Sequence, residues 1–241
     1  MGWLGEETRR DRIVIATIKS WNIAKAREFA LRFQETLEVS IITDKRELTY
    51  ARLAESKPRL VFFPHWSWVI PEEIHRNFEC IVFHISDLPF GRGGSPLQNL
   101  IQRKIYQTNI SALRVESALD AGKIYLKEPL DLSTGSAEEI LRCAAEKVFF
   151  KMIPTIIQNK PVPTEQQGEV TFFTRRTPEQ SDLNSAVLLS LQDFYDFVRM
   201  LDGEGYPKAF LRLGRILLEF SKVSMDGGRV SGTFEATYSN E

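Results

Sequence analysis

Apolar residues in the first 160 positions fall into two alternating patterns. Short β-branched or aromatic runs are separated by stretches in which an apolar residue returns every third or fourth position. Ile13-Val14-Ile15-Ala16-Thr17-Ile18 is an unbroken run bounded by polar residues and predicts a strand buried on both faces. Positions 23 to 35 repeat Ile23, Ala26, Phe29, Ala30 and Phe33 at helical spacing. The alternation continues with a strand at 39–42, a short helix at 46–55, a strand at 59–63, a helix start at Pro71-Glu72-Glu73 and a fourth strand, Cys80 to His84. Strands and helices in this order predict an α/β protein with a mostly parallel sheet covered on both faces.

A loop rich in glycine and proline, Ser86 to Pro96, then interrupts the alternation, ahead of a helix at 96–104. Loops so punctuated after a buried strand carry function more often than packing. Strands are predicted at 110–115 and 123–130, joined across Leu119-Asp120-Ala121-Gly122, and Ser136-Ala137-Glu138-Glu139 reads as a capping box opening one long helix to about 157. The first domain is expected to span 1–158. Residues 159–241 are read as a polar linker with two prolines, followed by a short C-terminal α+β appendage: a strand at 170–173, a helix near 191–201 and β segments at 209–213 and 215–223.

Composition narrows the class. The chain has 241 residues, 43% hydrophobic and 26% charged, which fits one folded α/β domain with a small addition and excludes a disordered or fibrous chain. Its formal charge is −1, and from Arg175 onward eight Lys/Arg face ten Asp/Glu. Such a tail supplies no global field for a polyanion, so no nucleic acid and no membrane is expected as a partner. Cys80 and Cys143 are too few and too far apart for a metal or redox pair, and both are read as buried thiols of a cytoplasmic protein without a metal. The first residues contain no apolar stretch of signal-peptide length.

The loop after the first strand is not a glycine-rich dinucleotide or Walker sequence. Lys19-Ser20-Trp21-Asn22 stands there instead. Ligands of open α/β sheets lie at the carboxyl ends of strands where the strand order reverses, and with strands one and four as neighbours this places Lys19 to Asn22 beside His84 to Ser95. A histidine at a strand end is commonly only capped, but here it opens a punctuated loop. His84-Ile85-Ser86-Asp87-Leu88-Pro89-Phe90-Gly91-Arg92-Gly93-Gly94-Ser95-Pro96 resembles the H-x-S-L-L-P-x-x-R-G-x-x-P signature of formyltransferases that use 10-formyltetrahydrofolate. Leu119-Asp120-Ala121-Gly122 resembles their L-D-T-G, while Arg175-Arg176-Thr177-Pro178-Glu179 and Tyr206-Pro207-Lys208-Ala209-Phe210 resemble their R-R-T-P-E and Y-P-x-A-F elements.

The resemblance implies a Rossmann-like first domain, 10-formyltetrahydrofolate as formyl donor, and His84 and Asp120 as catalytic residues. An amine attacking a formyl carbon creates an oxyanion and must lose a proton; a histidine can stabilise the first and a partly buried carboxylate can take the second. Asp120 read only as a turn residue is the plainer alternative. The family places Asn two residues before its histidine as a second oxyanion donor, and this chain has Val82. Asn22 is the candidate replacement, with a simple helix cap as the competing role. Pro64, Trp66, Trp68, Val69 and Ile70 lie where the family binds the pterin, although such residues equally suit a core. Asp87 and Leu88 are expected to complete the cofactor site. Arg92, Gly93 and Gly94, with Lys19 and Trp21, are expected to meet the substrate.

The short acidic tail points within the family to transfer onto the amine of a nucleotide-linked 4-amino-4,6-dideoxy sugar, of the kind found in pseudaminic acid pathways. Formylation of methionyl-tRNA is the alternative in the same class, and an inactive folate or nucleotide-sugar binding module is the alternative outside it. A homodimer is compatible with this reading.

Overall fold

The computed structural model describes residues 10–239. β1 (Asp11–Ala16) leads into α1 (Ser20–Arg32), β2 (Leu37–Ile42), α2 (Tyr50–Ser56), β3 (Leu60–Phe63), α3 (Glu72–Asn77) and β4 (Cys80–Ile85). The two-residue β5 (Arg92–Gly93), α4 (Pro96–Gln102), β6 (Gln107–Arg114), β7 (Ile124–Asp131), α5 (Ala137–Lys147) and α6 (Ile153–Asn159) follow. The chain closes with β8 (Phe172–Phe173), α7 (Leu191–Arg199), β9 (Ala209–Leu213), β10 (Ile216–Asp226) and β11 (Arg229–Tyr238).

The large sheet has the order β2-β1-β3-β4-β6-β7. β1 to β4 are parallel, while β6 and β7 are antiparallel to their neighbours. Alternate residues of the parallel strands face opposite layers, as an extended backbone requires. Ile13, Ile15, Phe62 and Ile81 pack with Phe29 of α1 and with Ile140 and Ala144 of α5, whereas Val14, Ala16, Val61, Phe63 and Cys80 pack with Leu53 of α2 and Ile74 of α3. Both faces are covered, which is why these strands read as continuous apolar runs.

The order corrects one expectation that positions the site. β1 is not next to β4, because β3 lies between them. The chain turns back between β1 and β3, so the loops that meet at the reversal are those after β1 and β3. Hydrophobic runs identify strands but not their neighbours.

The expected helix from Ser136 is capped as predicted: Ser136 Oγ accepts from the Glu139 amide at 3.2 Å, and Glu139 Oε2 accepts from the Ser136 amide at 2.7 Å. It is not one uniform helix. A π segment, Val148–Met152, separates α5 from α6, and Pro154, with no amide hydrogen, cannot close the bond an α-helix requires there. Cys80 is buried but Cys143 is exposed on α5, contrary to the reading of both as buried. Burial pushes the Cys80 thiol up to about 12.

The segment read as a linker is built into the first sheet's surroundings. Thr164 exchanges backbone hydrogen bonds with Ile124 at 2.8 and 2.9 Å, and β8 pairs in parallel with β5. β9, β10 and β11 form a separate antiparallel sheet, against which α7 packs through Phe194 and Phe220, whose ring centroids are 6.4 Å apart. Among the described residues, no helix is long and apolar enough to cross a membrane, and no three His, Cys, Asp or Glu side chains gather as a metal site needs.

Candidate active site

β4 delivers His84 to the edge of the loop that follows it, opposite Ser111 of β6. Ser111 Oγ donates to the Ser86 carbonyl at 2.7 Å, and Ser86 Oγ donates to the Phe90 carbonyl, which folds the loop back on the strand. His84 Nε2 lies 2.8 Å from the Gly91 carbonyl oxygen. A carbonyl only accepts, so this nitrogen carries a hydrogen. Nδ1, the other ring nitrogen, faces Asp120 Oδ2 at 3.6 Å, and both side chains are about nine-tenths buried.

Asp120 reaches that position from a turn in which its own φ is +52°, a left-handed conformation that aspartate tolerates better than most residues. Two contacts hold the turn. Gly122 sits against the Arg114 carbonyl so closely that a Cβ would collide with it, and Asp120 Oδ2 accepts the Gly93 amide at 2.9 Å. Gly93 has φ +109° and its own backbone lies against the Phe173 carbonyl, where any side chain would clash.

Two residues that the sequence reading passed over complete this frame. Gln166 Nε2 donates to the carbonyls of Asp120 at 2.8 Å and Gly122 at 2.9 Å, while its Oε1 accepts Arg92 Nε at 3.1 Å and Nη2 at 2.8 Å. Thr171 Oγ1 accepts the Gly91 amide at 2.7 Å. Both lie in the polar stretch after α6, which resembles a linker because their partners are 44 to 80 residues away in sequence. The strand signal at Val170 to Phe173 was the one trace that this stretch packs.

Several expected site residues are committed elsewhere. Leu88 is fully buried with Leu113 and Ile124, and Asp87 is paired with Lys127, whose Nζ also donates to the Leu88 carbonyl at 2.6 Å. The Leu88 side chain faces the core, while the Asp87 carboxylate stays half exposed beside Lys127. The amides of Gly93 and Gly94 are spent on Asp120 and on the Phe173 carbonyl, so they offer no donor to a substrate. Val82 packs beside Leu88, Leu113 and Ile124.

Asn22 is neither the helix cap nor His84's companion. Lys19, with φ +71°, holds the cap position of α1, and Asn22 lies inside the helix. Its Nδ2 donates to Thr17 Oγ1 at 2.6 Å and to the Pro64 carbonyl at 3.1 Å, tying the end of β1 to the loop after β3. With Trp21, His65, Phe83 and Ile85 it lines a cavity of about 50 Å³. Phe83 and Ile85 project from the face of β4 opposite to His84, so the sheet separates Asn22 from the His84 ring. Lys19 and Trp21 stand at the same reversal, Trp21 edge-on to His65 at 5.4 Å.

The aromatic loop after β3 divides. Ile70 is buried with Ile74, and the Pro64 carbonyl serves Thr17 and Asn22. Trp66 lies edge-on to Phe63 at 6.0 Å and Trp68 at 5.0 Å, and its buried Nε1 has no acceptor among the described residues. Trp68 and Val69 are exposed, Val69 at 88%.

A methionyl-tRNA formyltransferase from Clostridium thermocellum is 48% identical to this chain, with 95% of this chain and 100% of that one aligned at a TM-score of 0.91. The chain belongs to the formyltransferase family. Residues 178–237 match the model of the methionyl-tRNA formyltransferase C-terminal domain. The methionyl-tRNA formyltransferase of Bacillus cytotoxicus is 29% identical over 171 residues, which are 68% of this chain and 53% of that protein. The chain thus spans a little over half the length of the curated relatives it matches. A 4-N formyltransferase from Francisella tularensis shares the fold at 16% identity and a TM-score of 0.65, over 96% of this chain and 98% of that one.

These relatives overturn the expectation that no nucleic acid is a partner, since the family members with the greater identity are named for methionyl-tRNA. The charge count failed because it summed over the whole tail. Phosphate contacts depend on where individual cations stand, not on the net charge of a region.

Proposed function

We propose that this protein transfers a formyl group from 10-formyltetrahydrofolate to the amine of methionyl-tRNA. The observation that carries the chemistry is the pairing of His84 Nδ1 with Asp120 Oδ2, both buried and both held by the same glycine-rich loop. The acceptor rests on the 48% identical relative.

The residues present fit a folate. Trp66 and Trp68 meet edge to face with their planes 74° apart, Trp68 is half exposed, and the buried Trp66 Nε1 has a hydrogen but no acceptor among the described residues. The Trp68 ring, with Val69, would hold the pterin. When bound, 10-formyltetrahydrofolate supplies the formyl carbon as an electrophile.

The chain's own groups supply positioning and proton transfer. His84 Nε2 is anchored on the Gly91 carbonyl, so a proton exchanged with substrate passes through Nδ1. With a hydrogen on both ring nitrogens, His84 would stabilise negative charge on the formyl oxygen through Nδ1–H and pass that proton to the departing folate nitrogen, while the Asp120 carboxylate accepts the proton the amine must lose. Gln166 fixes the strained Asp120 turn and at the same time aims Arg92, whose Nη1 makes no bond within the protein among the described residues. Arg92 would meet an anionic group of the acceptor, with Lys19 and Trp21 two strands away on its distal part.

A nucleotide-linked amino sugar serves as the competing acceptor in the test. Incubation with radiolabelled 10-formyltetrahydrofolate and, in parallel, charged initiator tRNA or a nucleotide-linked 4-amino-4,6-dideoxy sugar decides between them. Label is expected on the methionyl-tRNA. Label on the sugar alone overturns the acceptor, and label on neither overturns the activity.

A further inference from the structure

Arg176 belongs to an element that formyl transfer as described above does not use. It lines a cavity of about 260 Å³ between α4, residues 180–188 and α7, the larger of the two cavities described. Ile101, Phe197 and Met200 make an apolar floor and are buried, with Ala186 and Leu188 beside them. The Arg176 guanidinium lies over the Phe197 ring, 5.9 Å from its centroid. Nη1 donates to Gln102 Oε1 at 3.0 Å and Nη2 to the Gln180 carbonyl, while Nε is buried with no acceptor among the described residues.

Every acceptor around this cation is neutral. Two carboxylates also line the cavity, but they are already engaged: Asp193 with Lys104 at 2.8 Å, and Asp196 with Arg199 at 2.6 Å, Tyr106 at 2.6 Å and Gln192 at 2.9 Å. Among the described residues no carboxylate pairs with Arg176. Withdrawal from water lowers its pKa, as expected of a cation that burial penalises and no anion compensates. A half-buried guanidinium whose Nη1 and Nη2 each keep a second N–H beyond their bonds to Gln102 and Gln180, beside an apolar floor, favours an anion, whose charge-assisted bond gains strength where water is excluded. The cavity is smaller than typical sites for drug-sized molecules, which limits the ligand to a small one.

We propose that this cavity is a second binding site, for a small organic anion whose carboxylate or phosphate accepts the remaining hydrogens of Arg176 Nη1 and Nη2 while its apolar body rests on Phe197 and Met200. None of its lining residues belongs to the His84 and Asp120 frame. The two regions touch through the Arg176 amide, which donates to Ser95 Oγ at 3.1 Å where α4 begins.

Calorimetric titration of the full chain with phenyl phosphate, benzoate and inorganic phosphate tests this. At least one of the two aromatic probes is expected to bind with a Kd of about 1 mM or tighter, and inorganic phosphate more weakly because it has no apolar body. Arg176→Gln should weaken the bound probe at least about tenfold, the effect of losing a hydrogen bond to a charged group. Asp120→Asn should leave it unchanged. Gln102→Glu supplies an internal counter-ion at Nη1, so it should raise the melting temperature and abolish probe binding. The proposal is overturned if neither aromatic probe binds at about 10 mM, if Arg176→Gln folds and binds as before, or if Asp120→Asn abolishes binding. Should Arg176→Gln fail to fold, undiminished affinity in Gln102→Glu overturns it.

Discussion

Two histidines stand where parallel strands of this protein give way to loops, His84 buried and His65 partly so, and their surroundings differ in kind. His84, one residue before the end of β4, has a carbonyl on one nitrogen and a carboxylate near the other. His65, after β3, makes no hydrogen bond among the described residues; it lies edge-on to Trp21, and burial, reinforced by the Lys19 charge, pushes its pKa down to about 4, with Glu204 opposing weakly. Burial alone thus yields a neutral ring with no partner for a proton. A ring becomes useful for proton transfer when a fixed acceptor orients one nitrogen and a carboxylate stands by the other.

The largest effect expected from this contrast is on turnover. His84→Ala and Asp120→Asn should each lower kcat by about a hundredfold to ten-thousandfold, the usual contribution of a positioned acid or base, with folate binding little changed. Steady-state kinetics with saturating donor measure it. Near-normal turnover in either variant would falsify the assignment of that residue, and a comparable loss in His65→Gln would erase the distinction between the two histidines.

His65 should reveal itself in stability against pH. Its folded pKa is depressed from 6.5 to about 4, so between those values the unfolded chain binds the proton and the folded one does not. Stability therefore rises with pH across this window and is lost as pH falls from about 6.5 toward 4, by up to ~3 kcal/mol for a shift of this size. Urea midpoints of the wild type should drop across the window, and those of His65→Gln should drop less. Parallel curves for the two proteins would mean that another group carries the acid sensitivity.

What the sequence revealed follows the same division between local pattern and distant contact. β1 and β3 were legible because they are buried on both faces, and His84 and Asp120 were legible because their motifs surround them. β11 went unread although Gly227-Gly228 followed by Val230, Gly232, Phe234, Ala236 and Tyr238 is a hairpin signal; its apolar face is interrupted by glycine and alanine and stays largely exposed. Strand order was misread because periodicity says nothing of neighbours. Gln166 and Thr171 went unnoticed because their bonds go to backbone atoms far along the chain, which no spacing rule registers.

Val82 tests the His84 side of the contrast at intermediate magnitude. It packs beside Leu88, Leu113 and Ile124, so the amide in Val82→Asn enters an apolar cluster and should cost about 1 to 3 kcal/mol of stability without raising turnover. Thermal melting and initial rates measured together are the check. A rise in turnover of about tenfold at unchanged stability would instead show that position 82 opens onto the same space as His84 and that the apolar side chain restrains the reaction.

Asn22 should give the smallest effect, and its smallness is informative. Its amide is a brace across the reversal of strand order, donating to Thr17 and Pro64, while its own Oδ1 is buried without a partner among the described residues. Asn22→Ala removes two hydrogen bonds, but it also removes an unsatisfied acceptor, and Thr17 Oγ1 keeps its own bond to the Pro64 carbonyl at 2.6 Å. These opposing contributions leave a net loss of about 1 kcal/mol or less. Turnover should stay within a few-fold of wild type, because the sheet lies between this residue and His84. If kcat instead falls by about a hundredfold while melting is unchanged, the amide reaches the reacting atoms after all, and the two strand ends belong to one site rather than two.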